Sequence, residues 1–166
     1  MILKKLLISA IVLVFCVGAI KKPTQKFSAT VRKVIDGDTI AVYREPLATY
    51  QKIRLVCIDA PEKSQTPYGL ASKDWLAKQV LGKKVDVEAF GTDRYQRILG
   101  KVSVENNSIN LMSIQDGQSV AYRAYMQPCQ DEKDFYFNSE AQAKRNKLGF
   151  WQQDNPVMPW DWRSRR

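Results

Sequence analysis

Residues 27–43 of the chain, FSATVRKVIDGDTIAVY, decide the fold, because they hold two runs of alternating apolar and polar side chains around an Asp-Gly pair. A period of two is typical of strands with one buried face, and Asp-Gly between such runs favours a tight hairpin turn. We therefore predict a β-hairpin with strands at 27–35 and 39–43. A third strand is predicted at 51–58, ahead of Pro61.

The period changes to that of a helix after Pro67, with Thr66 as the predicted N-cap and Gly82 after the end. The apolar face predicted for this helix consists of Tyr68, Ala71, Trp75, Leu76 and Val80. Two further strands are predicted at 84–90 and 98–104. A short helix is predicted from a Ser108 cap to Gly117, and a last helix with an apolar face of Phe137, Ala141, Lys144 and Leu148.

Five strands with one helix between the third and the fourth is the order of an OB-type barrel. The predicted class is therefore mainly β with helices (α+β), an OB-fold five-stranded Greek-key barrel with about three helices. The length of the chain, 166 residues, is typical of one domain. We place this domain at 27–151, after a polar leader at 20–26 and before an extended tail at 152–166.

The first residues are predicted to direct the chain out of the cytoplasm. Two lysines precede an apolar run of 15 residues at 6–20, which is short for a membrane span of about 17 to 25 residues. Residues 1–19 are expected to be a signal peptide, with an uncleaved membrane anchor through 6–20 as the alternative. The protein is then secreted, periplasmic or held at the cell envelope. In such a compartment Cys57 and Cys129 form a disulfide or remain buried free thiols.

Composition excludes several kinds of catalytic site. The chain contains no histidine, which removes Ser-His-Asp and Cys-His catalysis and histidine-based zinc sites. Carboxylates, arginines and bound water remain for hydrolytic chemistry. Lysine and arginine number 26 against 17 acidic residues, and this net charge of +9 suits a polyanionic partner such as nucleic acid or an anionic membrane.

Acids and arginines stand at the ends of the predicted strands. Asp36 and Asp38 flank Gly37 at the hairpin, and Asp59 closes the third strand. Such carboxylates, with a backbone carbonyl and waters, form an open oxygen site suited to Ca²⁺ or Mg²⁺. Arg54 and Arg97 provide guanidinium groups that match phosphate oxygens. Arg163, Arg165 and Arg166 are expected to be solvated surface residues.

Strict alternation places Arg54 and Asp59 on opposite faces of the third strand, because they are five residues apart. A joint site therefore needs a bulge or a sharp twist of the strand, and we predict one near Cys57.

The motifs together resemble the staphylococcal nuclease (thermonuclease) family, from about residue 27 to 162. They are VIDGDT at 34–39, RLVCIDAPE at 54–62, Tyr68-Gly69, DRYQR at 93–97 and SEAQAK at 139–144, in the family's order. The resemblance implies a Ca²⁺-dependent, sugar-nonspecific endonuclease. Such enzymes cleave DNA and RNA at the bond between phosphorus and the 5′-oxygen, and they leave 3′-phosphates.

The resemblance also implies roles for individual residues. Asp38, Asp59 and the carbonyl of Ala60 are metal ligands, Asp36 supports them, and Glu62 acts on the attacking water. Arg54 and Arg97 hold the phosphate, and Arg94, Tyr95 and Tyr125 are candidates for substrate contacts, with a buried core position as the alternative for the tyrosines. Gln96 replaces the family's glycine before Arg97, so a bulkier residue must form a turn that favours positive φ.

The expected partners are DNA and RNA, with single-stranded or locally open regions favoured, and the expected state is a monomer without a small-molecule cofactor. The alternative function is a noncatalytic OB-fold module that binds nucleic acid through basic and aromatic side chains. The presence of all five residues, Arg54, Arg97, Asp38, Asp59 and Glu62, favours the nuclease.

Overall fold

The computed structural model describes residues 21–165, apart from the side chain of Pro46. Its strands are Gln25–Asp36 (β1), Thr39–Arg44 (β2), Thr49–Leu55 (β3), Ile58–Asp59 (β4), Lys84–Thr92 (β5), Ile98–Val104 (β6), Asn107–Ser108 (β7) and Val120–Ala121 (β8). Its α-helices are Tyr68–Val80 (α1), Ile109–Gln115 (α2), Lys133–Arg145 (α3) and Pro159–Ser164 (α4). Short 3₁₀ segments lie at Glu45–Leu47, Arg123–Tyr125, Gln127–Glu132 and Gly149–Gln152.

Five strands form a closed barrel in the order β3-β2-β1-β5-β6. The barrel closes where β3 and β6 pair in parallel, with Ile53 opposite Ile98 and Leu55 opposite Gly100. The predicted OB-type α+β fold is confirmed, with four α-helices in the described residues. The short strands β4 and β8 form a separate antiparallel pair beside the barrel, in which Asp59 lies opposite Val120.

An irregularity in β1 sets which side chains enter the barrel. The pairing with β2 shifts between Val31 and Lys33. Without this shift, alternation from Val31 would direct Lys33 inward, whereas in the structure Lys33 is exposed and Val34 is buried. The bulge therefore keeps a lysine out of the core.

Apolar side chains fill the barrel interior and its contact with the helices. The fully buried ones include Val31, Ile40, Val42, Ile53, Leu55, Ile58, Leu76, Ile109 and Ile114. Buried Asn110 links this core to the loops, because its Oδ1 accepts from Val102 N at 2.9 Å and its Nδ2 donates to Val56 O at 2.9 Å. The amide thus satisfies backbone groups that the barrel would otherwise bury unpaired.

Helix α1 begins one residue later than predicted. Pro67 occupies the N-cap position without a side-chain cap, so Thr66 does not cap the helix. The buried residues of α1 are Gly69, Ser72, Leu76 and Val80, while Ala71 is exposed. The predicted face was therefore partly wrong, because Ser72 is buried through a hydrogen bond from its hydroxyl to Gln118 O at 2.7 Å.

Helix α3 presents a different face to the core from the predicted one. Its buried residues are Tyr136, Glu140 and Ala143, whereas Lys144 and Leu148 are exposed. Glu140 is buried because Ala121 N donates to its Oε1 at 2.9 Å. Helix α2 begins at its predicted cap, where Ser108 Oγ accepts from Leu111 N.

The two ends of the chain differ from the sequence interpretation. Strand β1 begins at Gln25, inside the predicted leader, and α4 lies within residues 152–166, where we predicted an extended tail. Within residues 21–165 no helix is long and apolar enough to cross a membrane. The predicted signal peptide at 1–19 and the alternative anchor at 6–20 both lie outside the described residues.

Candidate active site

The turn between β1 and β2 directs Asp38 toward the loop after β4. Asp38 is buried, its Oδ1 accepts from Thr39 Oγ1 at 3.0 Å, and its Oδ2 accepts from Ala60 N at 2.9 Å. Gly37 permits this close packing, since a Cβ at this position would collide with Ser72 and lie 2.7 Å from the Cβ of Ala60. Asp36 supports the turn, because its Oδ1 accepts from Asp38 N at 3.1 Å.

A turn at Val56 and Cys57 separates β3 from β4, where we predicted a bulge or twist. Cys57 has a φ of 68°, a left-handed conformation that reverses the side to which the following residues point. Tyr122 N donates to Cys57 O at 2.9 Å, and a disulfide joins Cys57 to Cys129. The turn brings Arg54 and Asp59 to the same side.

Arg54 lies between the two aspartates. Its Nη2 lies 3.0 Å from Asp38 Oδ2 and 2.9 Å from Asp59 Oδ1, and its Nη1 donates to Ile58 O at 2.9 Å. The Asp59 side chain is 0% exposed and that of Arg54 is 12% exposed. Two carboxylates from separate elements thus converge on one cationic nitrogen in a largely dry environment, where charge interactions are strong.

Arg163 of α4 also enters this cluster, so its predicted position on the solvated surface was wrong. Its Nη1 and Nη2 donate to Asp59 Oδ1 and Oδ2 at 3.1 and 2.8 Å, and its Nη1 also donates to Glu62 Oε1 at 2.8 Å. Although burial opposes the charge, these carboxylates raise the pKa of Arg163 above its ordinary value. The sequence offers one signal for this contact, the tryptophans on either side of Asp161, because large amphipathic rings are typical of segments that pack against a domain.

Glu62 follows β4 in a loop that packs against α1. Its backbone N–H donates to Gln65 Oε1 at 2.8 Å, and its carbonyl accepts from Gln65 N at 2.7 Å. Gly69 is required here, since a Cβ on Gly69 would collide with the Glu62 carbonyl. The structure therefore brings Asp38, Asp59, Glu62 and Arg54 together, as their common site requires.

The acidic residues repel one another. Burial, and then the charge of Asp38, raise the pKa of Asp36 to about 6. Burial also raises the pKa of Asp59. Hydrogen bonds from Arg163 and the charge of Arg54 lower this pKa, but by less than burial raises it. Carboxylates whose charge is this costly favour an additional cation nearby.

The donor set fits a hard divalent cation held weakly. An ionised carboxylate offers about four acceptor directions. Among the described residues, Asp59 accepts one hydrogen bond from Arg54 and two from Arg163. Asp38 accepts one each from Arg54, Thr39 and Ala60. Each carboxylate therefore retains about one acceptor direction for a cation. In the same part of the chain no group of three or more Asp, Glu, Cys or His side chains converges as a metal cage. A cation bound to these directions would need further ligands from backbone oxygens and water.

Arg97 immediately precedes β6, the strand that pairs with the strand of Arg54, where Leu99 lies opposite Arg54. Its Nε donates to Asp93 Oδ2 at 2.7 Å, and no hydrogen bond within residues 21–165 joins it to Asp38, Asp59 or Glu62. Gln96 adopts a φ of 59°, so the turn keeps the positive φ with a bulkier residue. Burial opposes the charge of Asp93, but hydrogen bonds from the Arg97 backbone and side chain hold its pKa below the ordinary value.

The candidate substrate tyrosines are exposed. Tyr95 is 64% and Tyr125 62% exposed, which contradicts a buried core position for either. The Arg94 guanidinium lies 5.0 Å from the Tyr95 ring centroid. Tyr122 stacks on Trp160 with an interplanar angle of 3° and centroids 5.7 Å apart, a contact that the sequence did not predict.

Comparison with known proteins bears on this site. A family model described as staphylococcal nuclease homologue matches residues 52–153. An "uncharacterized endonuclease" of Haemophilus influenzae is 35% identical over 164 residues, which is 98% of this chain and 87% of the relative. A "micrococcal nuclease" of Shigella flexneri is 34% identical over 148 residues, which is 82% of this chain and 80% of the relative. The chain therefore belongs to the staphylococcal nuclease family.

Proposed function

We propose that the protein is a Ca²⁺-dependent, sugar-nonspecific nuclease that hydrolyses phosphodiester bonds of DNA and RNA and leaves 3′-phosphates. One observation supports it above all: Asp38 and Asp59 converge on one nitrogen of Arg54, with Glu62 beside them. The membership of a nuclease family supports hydrolysis rather than binding alone. The names of the relatives specify neither the metal nor the products, so both are part of the proposal.

Asp38, Asp59 and the carbonyl of Ala60 would hold the cation, and Asp36 would support Asp38 through the turn. The bound cation would supply positive charge to a phosphate oxygen, which lowers the energy of the more highly charged transition state. Arg54 acts in the same sense, because its guanidinium is already fixed beside both aspartates and stays protonated.

Glu62 is the candidate general base. Its side chain is 34% exposed, so water can reach the carboxylate. In the proposed step Glu62 takes a proton from water as the water oxygen bonds to phosphorus. The bond between phosphorus and the 5′-oxygen breaks, and the departing oxygen takes a proton from solvent. Arg97 would turn from Asp93 to the phosphate, a reorientation favoured by the exposure of residues 94–96 between them.

The substrate class follows from charge and exposed rings. The full chain carries a net charge of +9, and without residues 1–19, which contain two lysines and no acid, it keeps +7. Such a charge attracts any polynucleotide without reading its sequence. Exposed Tyr95 and Tyr125 can stack on unpaired bases, which favours single-stranded or locally open DNA and RNA. We also propose that the enzyme acts outside the cytoplasm, on the basis of residues 6–20.

Incubation of the purified protein with labelled single-stranded DNA and RNA, with Ca²⁺ or with chelator, tests this function. Both substrates should be cleaved with Ca²⁺, cleavage should stop in chelator and return with added Ca²⁺, and the new 3′ ends should need phosphatase treatment before a polymerase extends them. Asp38→Ala should raise the Ca²⁺ concentration required.

Arg97→Ala provides a second comparison. It should lower turnover without changing Ca²⁺ binding, because its charge is needed most as the phosphate becomes more negative. Binding of both substrates without cleavage under any divalent cation would instead support the noncatalytic module.

A further inference from the structure

The C-terminal segment 157–163 lies against the loop that carries Glu62. Trp162 Nε1 donates to Ser64 Oγ at 3.0 Å, and Gln65 Nε2 donates to the carbonyl of Val157 at 2.8 Å. Trp160 anchors the same segment by stacking on Tyr122. These contacts hold the segment in place independently of Arg163.

Arg163 fixes the side chain of Glu62. Its Nη1 is hydrogen bonded to Glu62 Oε1 at 2.8 Å and to Asp59 Oδ1 at 3.1 Å. One guanidinium thus joins the carboxylate proposed to take the proton to a carboxylate proposed to hold the cation. A glutamate side chain loses considerable rotamer freedom when it is held in one position, so a directional partner is needed to keep it there.

Gln65 fixes the backbone of Glu62 from the same direction. Its Oε1 accepts from Glu62 N at 2.8 Å, while its Nε2 donates to Val157 O. Both the main chain and the side chain of Glu62 are therefore connected to segment 157–163. The contacts span about 100 residues of sequence, as between Glu62 and Arg163 with a separation of 101.

We propose that Arg163 is a positioning residue for the reaction, which holds Glu62 where it can take the proton from water. This inference rests on the proposed function, since it assigns Arg163 a role through Glu62. Arg163 contributes direction rather than proton transfer. Misplacement of a reacting group by about 1 Å can lower a rate about 10²-fold, so loss of Arg163 should mainly affect turnover.

Steady-state kinetics at saturating Ca²⁺ test the proposal with Arg163→Ala, Arg163→Lys and the control Arg165→Ala, which changes an exposed arginine two residues away. Arg163→Ala should lower kcat roughly 10- to 100-fold with little change in KM. Arg163→Lys retains one cationic donor and should recover part of the loss. Arg165→Ala should match the wild type.

A double-mutant cycle with Glu62→Gln separates positioning from general damage to the structure. If Arg163 acts through Glu62, then Arg163→Ala should lower kcat far less in the Glu62→Gln background than in the wild type. An equal loss in both backgrounds would contradict the proposal. So would higher turnover of Arg163→Ala at limiting Ca²⁺, which would make Arg163 a competitor of the cation.

Hydrogen exchange of the metal-free protein provides a readout that does not depend on activity. The amides of Glu62 and Gln65 should exchange faster in Arg163→Ala than in Arg165→Ala, because one contact that holds the loop is lost. Unchanged exchange at these amides would overturn the positioning role. If the protein cleaved no nucleic acid but exchange did increase, the proposed function would fail while the contact of Arg163 with the loop would stand.

Discussion

Reduction of the Cys57–Cys129 disulfide should lower the free energy of unfolding by about 4 kcal/mol. The bridge closes a loop with a sequence separation of 72 residues. The chain-entropy relation for a loop of this length gives about 4.4 kcal/mol at 25 °C. This is a large part of the 5 to 15 kcal/mol that is typical of a whole domain.

Urea denaturation of the oxidised and the reduced protein measures this difference. In thermal denaturation, the melting temperature of the reduced protein should be roughly 8 to 16 °C lower, at about 2 to 4 °C per kcal/mol for a domain of this size. Reductant should have no effect on a Cys57→Ala/Cys129→Ala variant, which serves as the control. Tyr122 N still holds the Cys57 carbonyl, so activity per folded molecule should stay close to that of the oxidised protein. A difference below about 1 kcal/mol would refute the loop-entropy argument.

Three further predictions concern charge, the core and substrate binding. In chelator, the free energy of unfolding should decrease from about pH 4 to pH 6, because folded Asp36, with a pKa of about 6 against an ordinary 3.8, binds more protons than unfolded Asp36. Asp36 accounts for about 3 kcal/mol of this change, so Asp36→Asn should reduce the slope in urea titrations, and the raised pKa of Asp59 should leave a remainder of the same sign. Asn110→Ala should lower the free energy of unfolding by about 3 kcal/mol or more, because it leaves Val102 N and Val56 O buried without a partner. The control Asn107→Ala, at an exposed position, should lower it by less than about 0.5 kcal/mol, and equal losses would exclude the proposed role of Asn110. Fluorescence anisotropy in chelator should show that the logarithm of the affinity for single-stranded DNA falls linearly with the logarithm of the salt concentration and depends little on the DNA sequence. Affinity that is insensitive to salt and specific for sequence would contradict binding through phosphates.

Local patterns predicted most of the barrel. The hairpin at 27–43 and the strand at 98–104 follow from alternation, since the side-chain period of a strand is read directly from neighbouring residues. The same reasoning predicted a break at Cys57, because Arg54 and Asp59 could not otherwise share a site. The structure has a turn there, and the two side chains lie 2.9 Å apart.

Helix faces were harder to predict, because polar residues can be buried when their partners come from elsewhere in the chain. Glu140 in α3 is buried against Ala121, Arg123 and Lys144, so the helix presents Tyr136 and Ala143 rather than the predicted face to the core. No apolar period can reveal such a residue.

The contribution of the C-terminal segment could not be predicted for the same reason. Arg163 lies 104 residues from Asp59 in sequence, and no motif or spacing connects the two positions. Only the three-dimensional arrangement shows that its guanidinium reaches Asp59 and Glu62. The sequence motifs predicted the acids and Arg54 but not this additional cation.

Turnover of Glu62→Gln at saturating Ca²⁺ tests the central claim most directly. Glutamine keeps the shape of the side chain and removes the carboxylate, so the variant should remain folded and bind Ca²⁺ nearly as the wild type does. If Glu62 takes the proton from water, turnover should fall roughly 10²- to 10⁴-fold on both DNA and RNA. Near-normal turnover in a folded, Ca²⁺-binding Glu62→Gln protein would contradict the account.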